Sequence, residues 1–157
     1  MKNRLISKVI TSETYLMDFG GMIAPYLRAG DVIALRGDLG AGKTTLSRGL
    51  IQSRLGGVEV PSPTYTLVQT YDCGTYELWH CDLYRLEAPA DVLELGLIDM
   101  EAEIVSLIEW PDKMGAYLSA QALNVHIGFY DAGREVSISG DDIWAKRLSD
   151  LLGELCQ

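Results

Sequence analysis

Cysteine is scarce in this chain. Three thiols (Cys73, Cys81, Cys156) occur in 157 residues, and no two of them form a C-x-x-C pair. An odd count at that spacing argues against a disulfide framework and against a cysteine zinc site. Long apolar runs are missing too, so no segment reaches the length of a membrane span. The opening MKNRLISKVI carries basic residues but lacks the apolar core and small-residue cleavage site of a secretory signal. A cytoplasmic location, away from membranes, is the expectation. Positive charge is also short: 13 Lys and Arg stand against 22 Asp and Glu, a net charge of −9. Such a chain repels a phosphate backbone at long range, so direct, stable nucleic-acid binding is not expected of it. A partner with a basic surface stays compatible with that balance. Repeats and low-complexity segments are absent.

The length favours one domain able to bury a core without staples. Hydrophobic content of 48% with 22% charged residues is that of a globular chain. Thr11 or Ser12 can cap a helix carrying Leu16, Gly20, Ile23 and Leu27 at helical spacing, with a kink at Pro25. VIALRG (32–37) is a short apolar run between turn signals, hence a buried strand, and a helix is expected from about Thr44 to Leu55. Pro61 and Pro63 hold the next stretch extended. The alternating residues either side of Asp72-Cys73-Gly74 predict a hairpin, and Pro89 can start a short helix through Leu97. EIVSLIEW (103–110) predicts a second buried strand ending in an acid and stopped by Pro111. A second hairpin turns at Asp131-Ala132-Gly133, and 141–155 places Trp144, Leu148, Leu151, Leu152 and Leu155 on one helical face. Together these predict an α/β fold: a single domain with a mixed central sheet flanked by helices.

Gly37 to Thr44, GDLGAGKT, matches G-x-x-x-x-G-K-[ST] in full, between a strand and a helix. Glycines let the backbone wrap a phosphate with its N–H groups turned inward, and the helix N-terminus adds about half a positive charge. Asp38, Leu39, Gly40, Ala41, Gly42, Lys43, Thr44 and Thr45 are therefore the expected nucleotide contacts, with Lys43 on the β- and γ-phosphates and the Thr44 hydroxyl on Mg²⁺. A P-loop NTPase also needs an acid at a strand end to hold the metal. Glu109 fits that place, and Asp82 in HCDLYRL competes for it, either directly or through water. Thr64, 20 residues beyond Thr44, suits a switch threonine that senses the γ-phosphate. His80, Asp82 and Tyr84 share one face at strand spacing, where Asp82 can orient an attacking water and Arg85 can meet phosphate charge; the bland alternative is a solvated hairpin face. Trp110 is more often a packed aromatic than a ligand contact, and His126 is assigned nothing. Only Asn3 and Asn124 are asparagines and neither opens an N-K-x-D element, which favours ATP over GTP. Thr11 is a candidate contact for the adenine. A small-molecule kinase is the alternative, although no arginine-rich lid segment stands out; a module that holds nucleotide without hydrolysing it is the other.

GDLGAGKTTLSRGL, SPTYTLV, HCDLYRL and IEWPDKM, in this order and spacing, resemble the bacterial TsaE family over nearly the whole chain. One departure is visible: Tyr65 stands where the family usually has Phe, which keeps the ring and adds a hydroxyl. The resemblance implies a small ATPase, using ATP and Mg²⁺, of tRNA threonylcarbamoyladenosine biosynthesis. It implies TsaD and TsaB as partners, which transfer the threonylcarbamoyl group to the adenosine beside the anticodon, so that tRNA is met only through them. The ATPase would then reset that pair for another round. On this chain it implies Lys43 and Thr44 as phosphate and Mg²⁺ contacts, Glu109 as the metal acid, Asp82 for metal or water positioning, and Thr64 in the switch loop.

Overall fold

The computed structural model describes residues 2–156. The strands are β1 (Asn3–Ile10), β2 (Val32–Arg36), β3 (Val68–Asp72), β4 (Glu77–Asp82), β5 (Ile104–Glu109), β6 (Leu123–Tyr130) and β7 (Gly133–Gly140). They form one sheet in the order β1-β7-β6-β2-β5-β4-β3. Its centre, β6-β2-β5-β4, is parallel; β3 joins one edge antiparallel, and β7 then β1 extend the other edge antiparallel. This is the mixed sheet expected from the sequence. Helices α1 (Glu13–Ile23), α2 (Lys43–Leu55), α3 (Leu97–Met100), α4 (Asp142–Arg147) and α5 (Ser149–Leu155) flank it.

The central strands are apolar on both faces because both are covered. Ile33 and Leu35 of β2 face α1 and α2, in a core with Phe19, Leu46 and Leu50. Val32 and Ala34 face the other way, onto Leu83, Val92, Leu97 and Met114. The two helices approach very closely: a Cβ on Gly49 would lie 2.0 Å from the Met17 carbonyl oxygen, and one on Gly20 would lie 2.2 Å from that of Leu46. Only hydrogen at those two positions lets the backbones meet.

Several boundaries differ from the sequence reading, each for a local reason. The segment 3–10, not read as a strand, is edge strand β1. A register shift between Arg4 and Ile6 breaks its alternation, and Val9 is exposed on the face away from buried Ile6 and Ile10. Ser12 rather than Thr11 caps α1, accepting from the Tyr15 N–H at 3.0 Å. The α-helix stops before Pro25 and tightens into a 3-10 turn over Ala24–Tyr26. The segment from Pro89 is 3-10 to Leu95, and left-handed Gly96 separates it from α3. The C-terminal stretch buries Trp144, Leu148, Leu151 and Leu155, but as two helices meeting at Leu148. The Lys8 ammonium reaches from β1 to the Leu155 carbonyl at 2.9 Å, at the negative end of α5. Both hairpins turn where expected, with Asp131 at φ 48 in the second.

Candidate functional site

In an open parallel sheet, ligands bind beyond the carboxyl ends of the strands. Here β2 runs into the glycine loop, β5 ends at Glu109 and β4 at Asp82, and the register sets Leu35 beside Glu109 and Glu109 beside Asp82. Three consecutive parallel strands thus deliver one loop and two acids to a single edge.

The loop closes on itself through Ala41 N–H to the Asp38 carbonyl at 3.0 Å, and α2 starts immediately behind it. Gly42 has φ 120, and a Cβ there would lie 2.5 Å from a Leu16 methyl of α1. Lys43 is the first residue of α2 and only 4% exposed. Its ammonium donates to the Gly37 carbonyl at 2.6 Å and to that of Asp38 at 3.0 Å, and lies 4.3 Å from the centre of a Trp110 ring. Burial lowers its pKa, while the charges of Glu109, Asp82 and Asp38 oppose that shift.

Both acids are nearly sealed from solvent, Glu109 at 3% and Asp82 at 4% exposure. The Thr44 hydroxyl sits 3.0 Å from each Glu109 carboxylate oxygen. His80, wholly buried, places Nε2 2.7 Å from Glu109 Oε2. The Thr64 hydroxyl donates to Asp82 Oδ2 at 2.9 Å, and the Tyr84 N–H donates to Oδ1 at 3.0 Å. Lys43, Thr44, Thr45, Thr64, Asp82 and Glu109 therefore meet at one pocket, whose mouth carries Leu39, Gly40 and Trp110. His80 and Asp82 are no solvated hairpin face. Tyr84 lies past the strand end, half exposed, its ring centre 4.9 Å from that of Trp110. Arg85 lies over the Tyr65 ring on the exposed rim, and Tyr65 itself is 84% exposed.

A second cavity adjoins the first across the glycine loop. Thr11, Ser12, Gly40, Thr45, Gly133 and Arg134 line it. Arg134, from the start of β7, donates Nε–H to the Ala41 carbonyl at 2.8 Å and a terminal N–H to that of Gly40 at 3.4 Å, stacked over Phe129. Sequence reasoning missed Arg134 and undervalued Trp110. A glycine-flanked hairpin turn ending in Arg was the one available signal for the former, and nothing local tied it to a loop more than ninety residues away.

No cluster of three or more His, Cys, Asp or Glu able to hold a metal occurs among the described residues. The donors present suit a different site: Thr44, Glu109 and Asp82 offer hard oxygens, two of them anionic. Mg²⁺ typically takes one or two carboxylates and completes its shell with phosphate and water. Among the described residues, no helix is long and apolar enough to cross a membrane.

Comparison with known proteins finds a family model, relatives and a fold neighbour. The family model for TsaE, described as threonylcarbamoyl adenosine biosynthesis protein TsaE, matches residues 10–136. The chain is 35% identical over 139 residues to the tRNA threonylcarbamoyladenosine biosynthesis protein TsaE of Haemophilus influenzae, covering 85% of this chain and 88% of that one. It is 42% identical over 123 residues to the protein of that name from a Nostoc species, covering 74% of each. A crystal structure of Bacillus subtilis YdiB superposes with a TM-score of 0.80 at 24% identity, covering 100% of this chain and 99% of that one, and so shares the fold.

Proposed function

We propose, from the fact that this chain belongs to the TsaE family of threonylcarbamoyl adenosine biosynthesis proteins, that it binds and hydrolyses ATP with Mg²⁺ in the cytoplasm. The hydrolysis serves to reset a TsaD–TsaB pair that carries out the transfer to tRNA. One observation carries the reading: Lys43, Thr44, Thr64, Asp82 and Glu109 converge on a single pocket at the strand ends.

Each residue has a role that its contacts support. The Lys43 ammonium, held by two loop carbonyls, can exchange them for the β- and γ-phosphate oxygens within its reach. The loop N–H groups and the N-terminus of α2 face the same anion. Thr44 and Glu109 are the pair that would hold Mg²⁺, which when bound neutralises charge on the β- and γ-oxygens. Asp82 is fixed on both oxygens, by Thr64 and by the Tyr84 N–H, so its carboxylate is oriented to align a water. Thr64 ties the loop after Pro63 to that acid, which lets closure of the loop and alignment of the water occur together. Thr11 and Arg134 line the second cavity, on the far side of the glycine loop, which would take the nucleoside. The −9 charge leaves tRNA to the partners.

An arginine supplied in trans raises phosphoryl-transfer rates about 10³–10⁵-fold. Slow hydrolysis alone and faster hydrolysis with TsaD–TsaB are therefore expected. Phosphate release with labelled ATP, with and without TsaD–TsaB, tests this. Equal turnover in both would remove the partner-driven mechanism, and label found on a metabolite instead of water would favour a kinase.

A further inference from the structure

The geometry points to His80 as a positioning residue for Glu109, holding the carboxylate so that it can take a divalent cation together with Thr44. This inference rests on the ATP and Mg²⁺ reading above.

His80 occupies an unexpected environment. It stands on the face of β4 that also bears Leu78, and that face joins the apolar core of Leu35 and Leu107. A leucine would pack there without any polar atom to satisfy. The imidazole is instead wholly buried, and its Nδ1 has no hydrogen-bond partner. A buried nitrogen without a partner is a net cost, so the ring's other contact must account for its presence. That contact is Nε2 to Glu109 Oε2 at 2.7 Å. A carboxylate oxygen only accepts, so Nε2 carries the hydrogen and donates it.

The consequence for Glu109 is specific. Oε2 is engaged by the imidazole from the sheet side, and Thr44 Oγ1 approaches both oxygens at 3.0 Å. Oε1 remains the oxygen free of the imidazole, within hydrogen-bond distance of Thr44. The same strand supplies Asp82 two residues later, paired in register with Glu109. β4 therefore contributes one acid of the pocket and the support for the other. Groups that orient a metal's ligands without touching the metal contribute about 10–100-fold to its affinity.

The test is Mn²⁺ binding to the ADP-saturated protein, read by electron paramagnetic resonance, beside ADP affinity in EDTA and thermal melting. His80→Leu removes the donor at similar volume and should weaken Mn²⁺ about 10–100-fold, with ADP affinity in EDTA unchanged. His80→Gln carries an N–H at the reach of Nε2 and should stay close to wild type. His80→Asn ends at the reach of Nδ1 and should behave like His80→Leu. If His80→Leu does not fold, the Gln and Asn variants decide, and equal Mn²⁺ affinity in those two overturns the inference. So does wild-type Mn²⁺ affinity in a folded His80→Leu, or a loss of ADP affinity of equal size with and without metal. Failure of the wild-type ADP complex to bind Mn²⁺ would overturn the Mg²⁺ reading and this inference with it. Wild-type binding with unaltered variants would overturn this inference alone.

Discussion

Two cavities meet at the glycine loop, and they are built in opposite ways. The pocket beside β4 and β5 is made by the ends of parallel strands locked in register, so its acids are buried and each carries at least two hydrogen-bond contacts. The cavity beside β6 and β7 is made by a helix cap and a hairpin turn, Ser12 and Gly133–Arg134, and its polar contacts run to loop backbone. A pocket whose acids are buried and held by hydrogen bonds suits chemistry, because groups already oriented need no reorganisation as charge develops. A cavity of backbone and exposed side chains suits recognition. Under the proposed ATPase function, the difference would give rate to the strand-end side and nucleoside affinity to the hairpin side.

Under the proposed function Lys43→Ala should have the broadest effect, because that side chain would serve phosphates common to both sides. Losing a charge-assisted contact of this kind costs roughly 100-fold in affinity, which titration with a fluorescent ADP would read. Unchanged affinity would mean that the loop does not hold phosphate. The strand-end acids come next. Glu109→Gln and Asp82→Asn should each lower the single-turnover rate about 100-fold, with metal-free ADP affinity near wild type. They differ in one respect: extra Mg²⁺ should partly restore Glu109→Gln but not Asp82→Asn. Recovery of neither or of both would erase the division of labour between the two acids.

The same contrast explains what could be seen in the sequence. Gly37 to Thr44 is contiguous, so its place as a loop between β2 and α2 could be read from eight letters. Glu109 was visible because it ends the apolar run of a buried strand, where ligands bind in a parallel sheet, whereas Asp82 was visible only as a member of an alternating polar cluster. The burial of His80 was not visible. Alternation in HCDLYR marks a face, but whether that face meets solvent or α2 depends on β4 pairing with β5 instead of lying at an edge. Arg134 was hidden for a related reason, since its partners Gly40 and Ala41 lie far off in sequence and are backbone atoms, which leave no side-chain signature. β1 escaped notice because its bulge broke the period of two on which strand recognition relies.

Arg134→Ala tests the hairpin side directly. It removes donors from the Ala41 and Gly40 carbonyls and one wall of the second cavity, so nucleotide affinity should fall about tenfold while the single-turnover rate at saturation holds. A reduced rate with intact affinity would exchange the roles of the two cavities.

The smallest functional effect should come from Gly49→Ala, which touches neither cavity. Its Cβ would lie 2.0 Å from the Met17 carbonyl oxygen, and backbone cannot yield as a flexible side chain does, so α1 must move off α2. Overpacking of this kind costs about 1–3 kcal/mol, or several degrees of Tm in a chain of this size. The displacement is not symmetric in its consequences. α1 carries Ser12 at its N-cap and rests Leu16 against Gly42, so the hairpin-side cavity moves with it. Thr44, Glu109 and Asp82 stand on α2 and the strand ends, held by contacts that do not involve α1. Below its lowered Tm the variant should therefore bind ADP a few-fold more weakly and, once saturated, turn over at the wild-type rate. A fall in the saturated rate, measured by single turnover at a temperature where circular dichroism shows the variant folded, would mean that the two cavities are mechanically one.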